Sequence, residues 1–325
     1  MIVTVTPNPS IDRTVTLPGT LTRGAVHRLS SVTDEPGGKG VNVARALGLA
    51  GLDTVAVLPA AADDPFLTSL RAAAVPFRAV AVPAPVRTNI AVTENDGTTT
   101  KLNAPGATLD AAALDELTRT VIDAARTASW VVLSGSLPPG VPTSWYADVV
   151  AELAGSDCRV AVDTSDAPLT ALADAFGTAA PDLIKPNADE LAGLTGTSGQ
   201  ELEDAAADGD PGPVVAAARQ LVDRGARSVL VTLGAAGAVL VDPSGSWLAG
   251  SPPITPRSTV GAGDSSLAGY VRAEQAGADP AERLRMAVAY GSAAAALPGS
   301  ALPSPDQLHL DAVPVRAISP AHTES

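Results

Sequence analysis

The sequence predicts an α/β chain in three layers, a mainly parallel central sheet between helices, with a small β-sheet lid. Two observations carry this. Short apolar runs at Thr54 to Leu58, Trp130 to Leu133, Arg159 to Val162, Leu183-Ile184 and Ser228 to Thr232 are mostly separated by Ala/Leu helical periodicity, as in Val41 to Ala50 and Val214 to Asp223. That alternation implies parallel strands covered by helices on both faces. Two other stretches, Asp12 to Ser31 and Val86 to Asn103, are rich in β-formers and turns with no helix between them.

In chain order, Met1 to Thr6 alternates as a strand and ends in Pro7-Asn8-Pro9. The βα rhythm follows. It is broken at Ile90 to Thr93 and Thr98 to Leu102, where Asn95-Asp96-Gly97 marks a hairpin. Glu201 to Pro213 reads as an acidic loop punctuated by Gly and Pro. The expected division is an α/β domain from 1–11, 32–85 and 104–311, a lid from 12–31 and 86–103, and a flexible tail at 312–325. A sheet of this class binds ligands at the carboxyl ends of its strands.

Composition narrows the partners. With 325 residues, 46% of them apolar, the chain can bury a large core. A net charge of −14 disfavours nucleic acid and anionic membrane, both of which need a basic face, and leaves a small molecule. Met1 to Arg13 has no basic leader and meets Pro7 and Pro9 early, and no apolar run approaches ~18 residues, so a cytoplasmic location is expected. Cys158 is the only cysteine, which excludes an internal disulfide, and His27, His309 and His322 form no metal or hydrolase motif. Eighteen arginines stand against three lysines, Lys39, Lys101 and Lys185, so a lysine here marks a place where a compact ammonium is wanted.

The segment Thr259-Val260-Gly261-Ala262-Gly263-Asp264-Ser265-Ser266, followed at once by apolar Leu267 to Val271, joins a glycine turn, a helix start and an acid. Glycines let backbone N–H groups approach an anion, and the helix adds its positive end. An acid beside such a turn is electrostatically costly unless its charge is used, and the use is to take a proton from an attacking hydroxyl. The plain alternative is Asp264 as a helix N-cap. The segment lacks the G-x-x-x-x-G-K-[ST] of a P-loop and the third glycine and early position of a dinucleotide fingerprint.

Four further segments stand at predicted strand ends or helix starts: Asn8 to Asp12, Pro36-Gly37-Gly38-Lys39-Gly40-Val41-Asn42, Ser134 to Gly140, and Lys185-Pro186-Asn187-Ala188-Asp189-Glu190. Together with the Gly-Ala-Gly-Asp turn they resemble the ribokinase-like sugar kinases, in the phosphofructokinase B branch, from Thr4 to about Leu308. The glycine-lysine segment alone fixes the fold better than the substrate. Its coincidence with Thr259 to Asp264 makes the resemblance specific.

The resemblance implies a ribokinase-like fold and ATP-dependent phosphorylation of a sugar phosphate. Asp264 becomes the base, with the Gly261, Ala262 and Gly263 backbone around the transferred group. Asp12, Gly38, Asn42 and Asn103 fall on the sugar. Arg87 takes the sugar's phosphate, with Lys39 adding charge and Ser136 a hydroxyl. Thr232, Gly234 and Gly237 form the nucleotide loop, Lys185 and Asn187 lie by the ATP phosphates, and Ser292 borders adenine. Asn187 and Glu190 organise Mg²⁺ through water. Glu190 could instead be a simple helix salt-bridge residue, and Ser292 a packing residue. Ala25, where certain 6-phosphofructokinases of the branch place a lysine, and the Thr88-Asn89 that follows Arg87 favour fructose 1-phosphate, with tagatose 6-phosphate and fructose 6-phosphate as alternatives. A homodimer through the lid is expected from the branch.

Overall fold

Residues 1–318 are described by a computed structural model. The chain begins with β1 (Ile2–Val5), β2 (Ser10–Thr16), β3 (Ser31–Gly37), α1 (Lys39–Leu49), β4 (Thr54–Ala60), α2 (Pro65–Ala72) and β5 (Phe77–Ala81). It continues through β6 (Arg87–Thr93), β7 (Thr99–Leu102), α3 (Ala111–Ala125), β8 (Trp130–Ser134), α4 (Trp145–Leu153), β9 (Arg159–Asp163), α5 (Asp166–Asp174) and β10 (Leu183–Ile184). The last third holds α6 (Ala188–Thr195), α7 (Gly199–Ala207), α8 (Gly212–Asp223), β11 (Val229–Thr232), β12 (Ala238–Asp242), β13 (Gly245–Ala249), α9 (Ala262–Gln275), α10 (Pro280–Ala295) and β14 (Val315–Ala317).

Ten strands form one sheet in the order β14-β13-β12-β11-β10-β9-β8-β1-β4-β5. The seven from β5 to β11 are parallel, and β12 to β14 add antiparallel pairs at one edge. Strand residues alternate between the two faces. Val3, Val5, Val131, Leu133, Val160 and Val162 pack with α3 to α8, whereas Ile2, Trp130, Val132 and Ala161 pack with α1, α9 and α10. This is the expected three-layer arrangement. Among the described residues no helix is long and apolar enough to cross a membrane.

A second sheet has the order β3-β2-β6-β7. It grows from the carboxyl end of β1 through Pro7-Asn8-Pro9. Strand β2 pairs in parallel with β6, setting Ser10 opposite Arg87 and Asp12 opposite Asn89. The β6–β7 hairpin turns at Asn95-Asp96-Gly97, where Glu94 accepts from Gly97 N at 3.1 Å and donates to Thr98 O at 2.8 Å through its backbone.

Three expectations need correction. The small sheet takes in Ser31–Gly37, of which residues 32–37 were assigned by sequence to the α/β domain; that run is mostly polar and pairs antiparallel with β2, so hydrophobic alternation gave no sign of it. Residues 201–207, expected in a loop, belong to the helix Gly199–Ala207, because Ser198 caps the first turn and Leu202 is buried on the core side. In the expected tail, Val315–Ala317 pairs with β13 as an edge strand. Residues 319–325 of that tail, including His322, lie outside the described residues.

Candidate active site

Parallel strands bring the residues that follow β1, β8, β9, β10 and β11 to one edge of the sheet, and the amino ends of α1 and α9 meet them there. Helix α9 is capped by Gly261 at φ +75°, a left-handed value that disfavours any residue with a Cβ, and no side chain caps it. Asp264 therefore is not the N-cap. It sits in the first turn, buried, with its Oδ2 accepting from Asn42 Nδ2 at 2.9 Å. Asn42 comes from α1, whose cap Gly38 has φ +105°; a Cβ there would lie 2.6 Å from Thr6 Cγ2. The first-turn N–H groups of Gly263 and Asp264 point out of the helix end, where they can meet an anion. Burial, reinforced by the charge of nearby Asp163, pushes the Asp264 carboxyl up to about 6 despite Lys39, Asn42 and Lys185.

Asp163, the last residue of β9, is 1% exposed and lies between two ammonium groups. Lys39 Nζ donates to its Oδ1 at 3.0 Å, and Lys185 Nζ stands 3.4 Å from its Oδ2. Lys185 Nζ is also 3.3 Å from where a Cβ on Gly263 would be. Burial pulls Lys39 down, but the charges of Asp163, Asp264 and Glu190 prevail and hold it above its ordinary value. The Lys39 ammonium is thus engaged with Asp163 and lies within electrostatic reach of Asp264.

The small sheet supplies a separate polar cluster. Asp12 accepts from Ser10 Oγ at 2.7 Å and from Asn89 Nδ2 at 3.2 Å. Burial raises its carboxyl above the usual range, opposed by those hydrogen bonds and by Arg87. The Arg87 guanidinium donates to Ala104 O at 2.7 Å and Asn8 O at 3.1 Å, and its Nε is buried without a partner. Asn8 in turn donates through Nδ2 to Ser136 Oγ at 3.2 Å and Pro105 O at 3.0 Å. Ser136 and Arg87 thus meet at Asn8. Beside them opens a cavity of about 200 Å³ lined by Asp12, Asn89, Lys101, Asn103, Val260 and Ser300.

On the other flank, Asn187 forms a parallel bridge with Thr232, and Thr232 N donates to Pro186 O at 3.0 Å. The Lys185–Glu190 segment therefore adjoins the Thr232–Gly237 loop. Asn187 caps α6: its Oδ1 accepts from Glu190 N at 2.8 Å, while Glu190 Oε2 accepts from Asn187 N at 2.9 Å. This reciprocal capping box gives Glu190 a structural role other than a salt bridge. Burial lifts its carboxyl above the usual range against the Asn187 N–H. Ser292 is buried in α10, next to Gly291, whose side faces Ala262 O and Ser266 of α9. Among the described residues no group of three or more His, Cys, Asp or Glu is placed to hold a metal unaided.

Asp163 was missed from sequence, while Asn8 and Asn89 fell within singled-out segments without being given a role of their own. Asp163 ends an apolar run as the other site segments do, and that position was the available signal.

The fold agrees with comparisons to known proteins. The model of the pfkB family carbohydrate kinases matches residues 6–307. A 1-phosphofructokinase of Rhodobacter capsulatus is 38% identical over 312 residues, 94% of each chain. The ATP-dependent 6-phosphofructokinase isozyme 2 of Escherichia coli is 34% identical over 309 residues, covering 94% of this chain and 96% of its own. The crystal structure of phosphofructokinase-2 from Escherichia coli in complex with substrates and products superposes with a TM-score of 0.85 at 32% identity, over 94% of this chain and 96% of that one. A match spanning both glycine segments and every strand end of the site means that the chain belongs to the pfkB family of carbohydrate kinases.

Proposed function

We propose that this carbohydrate kinase transfers the γ-phosphoryl group of ATP to the 6-hydroxyl of fructose 1-phosphate, giving fructose 1,6-bisphosphate, with Asp264 as general base. The observation that carries the reading is the setting of Asp264. It is buried, raised to about 6, oriented by Asn42 and placed at the start of α9 near two lysines. A base in that range takes a proton readily near neutral pH. The helix end and the ammonium pair put positive charge where the transferred group is negative.

In this reading Asp12, Gly38, Asn42 and Asn103, joined by Asn89, hold the sugar hydroxyls, and Arg87 with Ser136 takes the 1-phosphate. Lys39 serves the transferred group. Lys185, Asn187, Thr232, Gly234 and Gly237 face ATP, and Ser292 borders the adenine. The small sheet closes over the site and keeps water from the phosphoryl group. Mg²⁺ suits the donor set. Glu190 engages the Asn187 N–H through one carboxylate oxygen, which leaves the other for a hydrated hard cation shared with ATP oxygens. Glu190 and Asn187 would hold it, and its charge would neutralise the phosphates.

Fructose 1-phosphate is favoured by Ala25 and by relatives such as the Rhodobacter capsulatus protein. The Escherichia coli relative named as a 6-phosphofructokinase supports fructose 6-phosphate as a second reading, beside tagatose 6-phosphate. An ATP-consumption assay over these three sugar phosphates and free fructose decides among them. The highest kcat/KM is expected for fructose 1-phosphate; a preference for either 6-phosphate overturns the substrate and leaves the kinase standing. We further propose a homodimer through the small sheet, where Leu21, Val26, Leu29, Val32 and Leu102 are exposed. A monomer mass by sedimentation at working concentration would refute it.

A further inference from the structure

Asp163 belongs to no glycine segment, yet two of the chain's three lysines converge on it from different elements, Lys39 from the start of α1 and Lys185 from the turn after β10. Burying a carboxylate is expensive unless it is paired, and one cation would serve a purely structural purpose. Here each oxygen has its own ammonium, at 3.0 and 3.4 Å. The strand end that carries Asp163 is itself held: Gly135 N donates to Asp163 O at 2.9 Å, and Gly135 O accepts from the Tyr146 and Thr164 hydroxyls, each at 2.9 Å. The clamp is rigid, and it stands beside Gly263 and Asp264.

We propose that Asp163 is a positioning residue for phosphoryl transfer, fixing the ammonium groups of Lys39 and Lys185 side by side next to the Asp264 carboxylate. Two like charges so close would otherwise repel, and one side chain would swing away. Held by Asp163, they form a cationic pair aimed at one locus. This rests on the reading of Asp264 as base.

Electrostatics gives the proposal a signature. The groups acting on Asp264 are Asp163 from β9, Lys39 and Asn42 from α1, and Lys185 after β10. Burial and Asp163 push its proton affinity up, and the other three push it down. Removing the Asp163 charge lowers the affinity of the base for its proton. It also removes the largest charge that keeps Lys39 protonated against burial.

The test is Asp163→Asn, which keeps the shape and one acceptor but deletes the charge. Turnover is expected to fall about tenfold to a hundredfold, the scale of a misplaced catalytic group, and the acid limb of kcat/KM is expected to move to lower pH. The substrate's own phosphate ionisation is common to both enzymes and cancels in the comparison. Because the chain has three lysines, NMR of ¹³Cε-labelled lysine can follow Lys39 directly, and its titration is expected to drop in the variant. Parent-like turnover with an unmoved limb and an unmoved Lys39 titration overturns the proposal. So does an activity loss that only tracks the unfolded fraction.

If Asp163→Asn does not fold, Asp163→Glu decides. It keeps the charge but displaces it by one methylene, so Lys39 should still titrate high while turnover drops about tenfold; full turnover would show that position is immaterial. Failure of the base reading would appear elsewhere, as retained turnover in Asp264→Asn, and the Lys39 titration does not depend on it.

Discussion

Asn42 Nδ2 donates to Asp264 Oδ2 at 2.9 Å, a buried hydrogen bond that ties α1 to α9 across 222 residues of sequence. It joins the two glycine segments that mark the chain. Asn42 Oδ1 is also buried and has no partner, so the amide presents a free acceptor beside the base. One side chain can thus orient the carboxylate and offer a seat to a sugar hydroxyl. The bond favours the ionised form of Asp264 and works against the burial that raises it.

Asp264→Asn is expected to lower kcat by about 10²–10⁴, because a general base acts in the transition state. It should also stabilise the fold. The carboxyl is raised from 3.8 to about 6 on folding, so between those values the native state holds more protons than the unfolded state, and stability falls as pH rises. The loss is complete above about pH 6. Asn removes it, a gain on the order of 2–3 kcal/mol at pH 7.5 that vanishes toward pH 4. Calorimetry at both pH values, beside turnover, checks this. Near-normal turnover would remove Asp264 from the chemistry, and an unchanged Tm at pH 7.5 would mean that the carboxyl is not strained by burial.

Arg87→Ala should cost roughly 1.5–3 kcal/mol in binding of the phosphosugar, the scale of a charged hydrogen bond. Arg87 also anchors the carbonyls of Asn8 and Ala104, so a rise in KM by itself would be ambiguous. The discriminating quantity is the ratio of kcat/KM for fructose 1-phosphate to that for free fructose. If Arg87 reads the phosphate, that ratio collapses, and Arg87→Lys restores it only in part because a point charge cannot replace the guanidinium fork. A purely structural Arg87 would lower both values equally.

The strands and the motif segments were legible because short apolar runs and glycine turns are local signals. The placing of Asn187 and Glu190 beside the loop after β11 came from the family resemblance, and the Asn187–Thr232 bridge sets the two segments side by side. What escaped was decided by contacts remote in sequence. Asp163 looks like any strand-terminal acid until Lys39, 124 residues away, is brought against it. The pairing of Lys39 with Asp163 escaped for the same reason: glycines around a lysine show that an anion is near, not which one. Strand β3 and helix α7 were missed because their residues are polar, and one is held by pairing to β2, the other by a cap and a single buried leucine.

Glu190→Gln separates two roles that the structure superimposes. The glutamine carbonyl can still accept from Asn187 N, so the capping box and the start of α6 should survive, with Tm nearly unchanged. The negative charge is lost. If Glu190 helps to hold a hydrated Mg²⁺, the magnesium concentration needed for half-maximal rate rises while KM for the sugar phosphate stays put. Glu190→Ala provides the contrast: it breaks the cap as well, and should lose about 0.5–2 kcal/mol of stability on top of the same magnesium shift. Identical magnesium curves for the parent and Glu190→Gln would leave Glu190 as a helix cap alone, and metal holding would then fall to the ATP phosphates and other oxygen donors of the site.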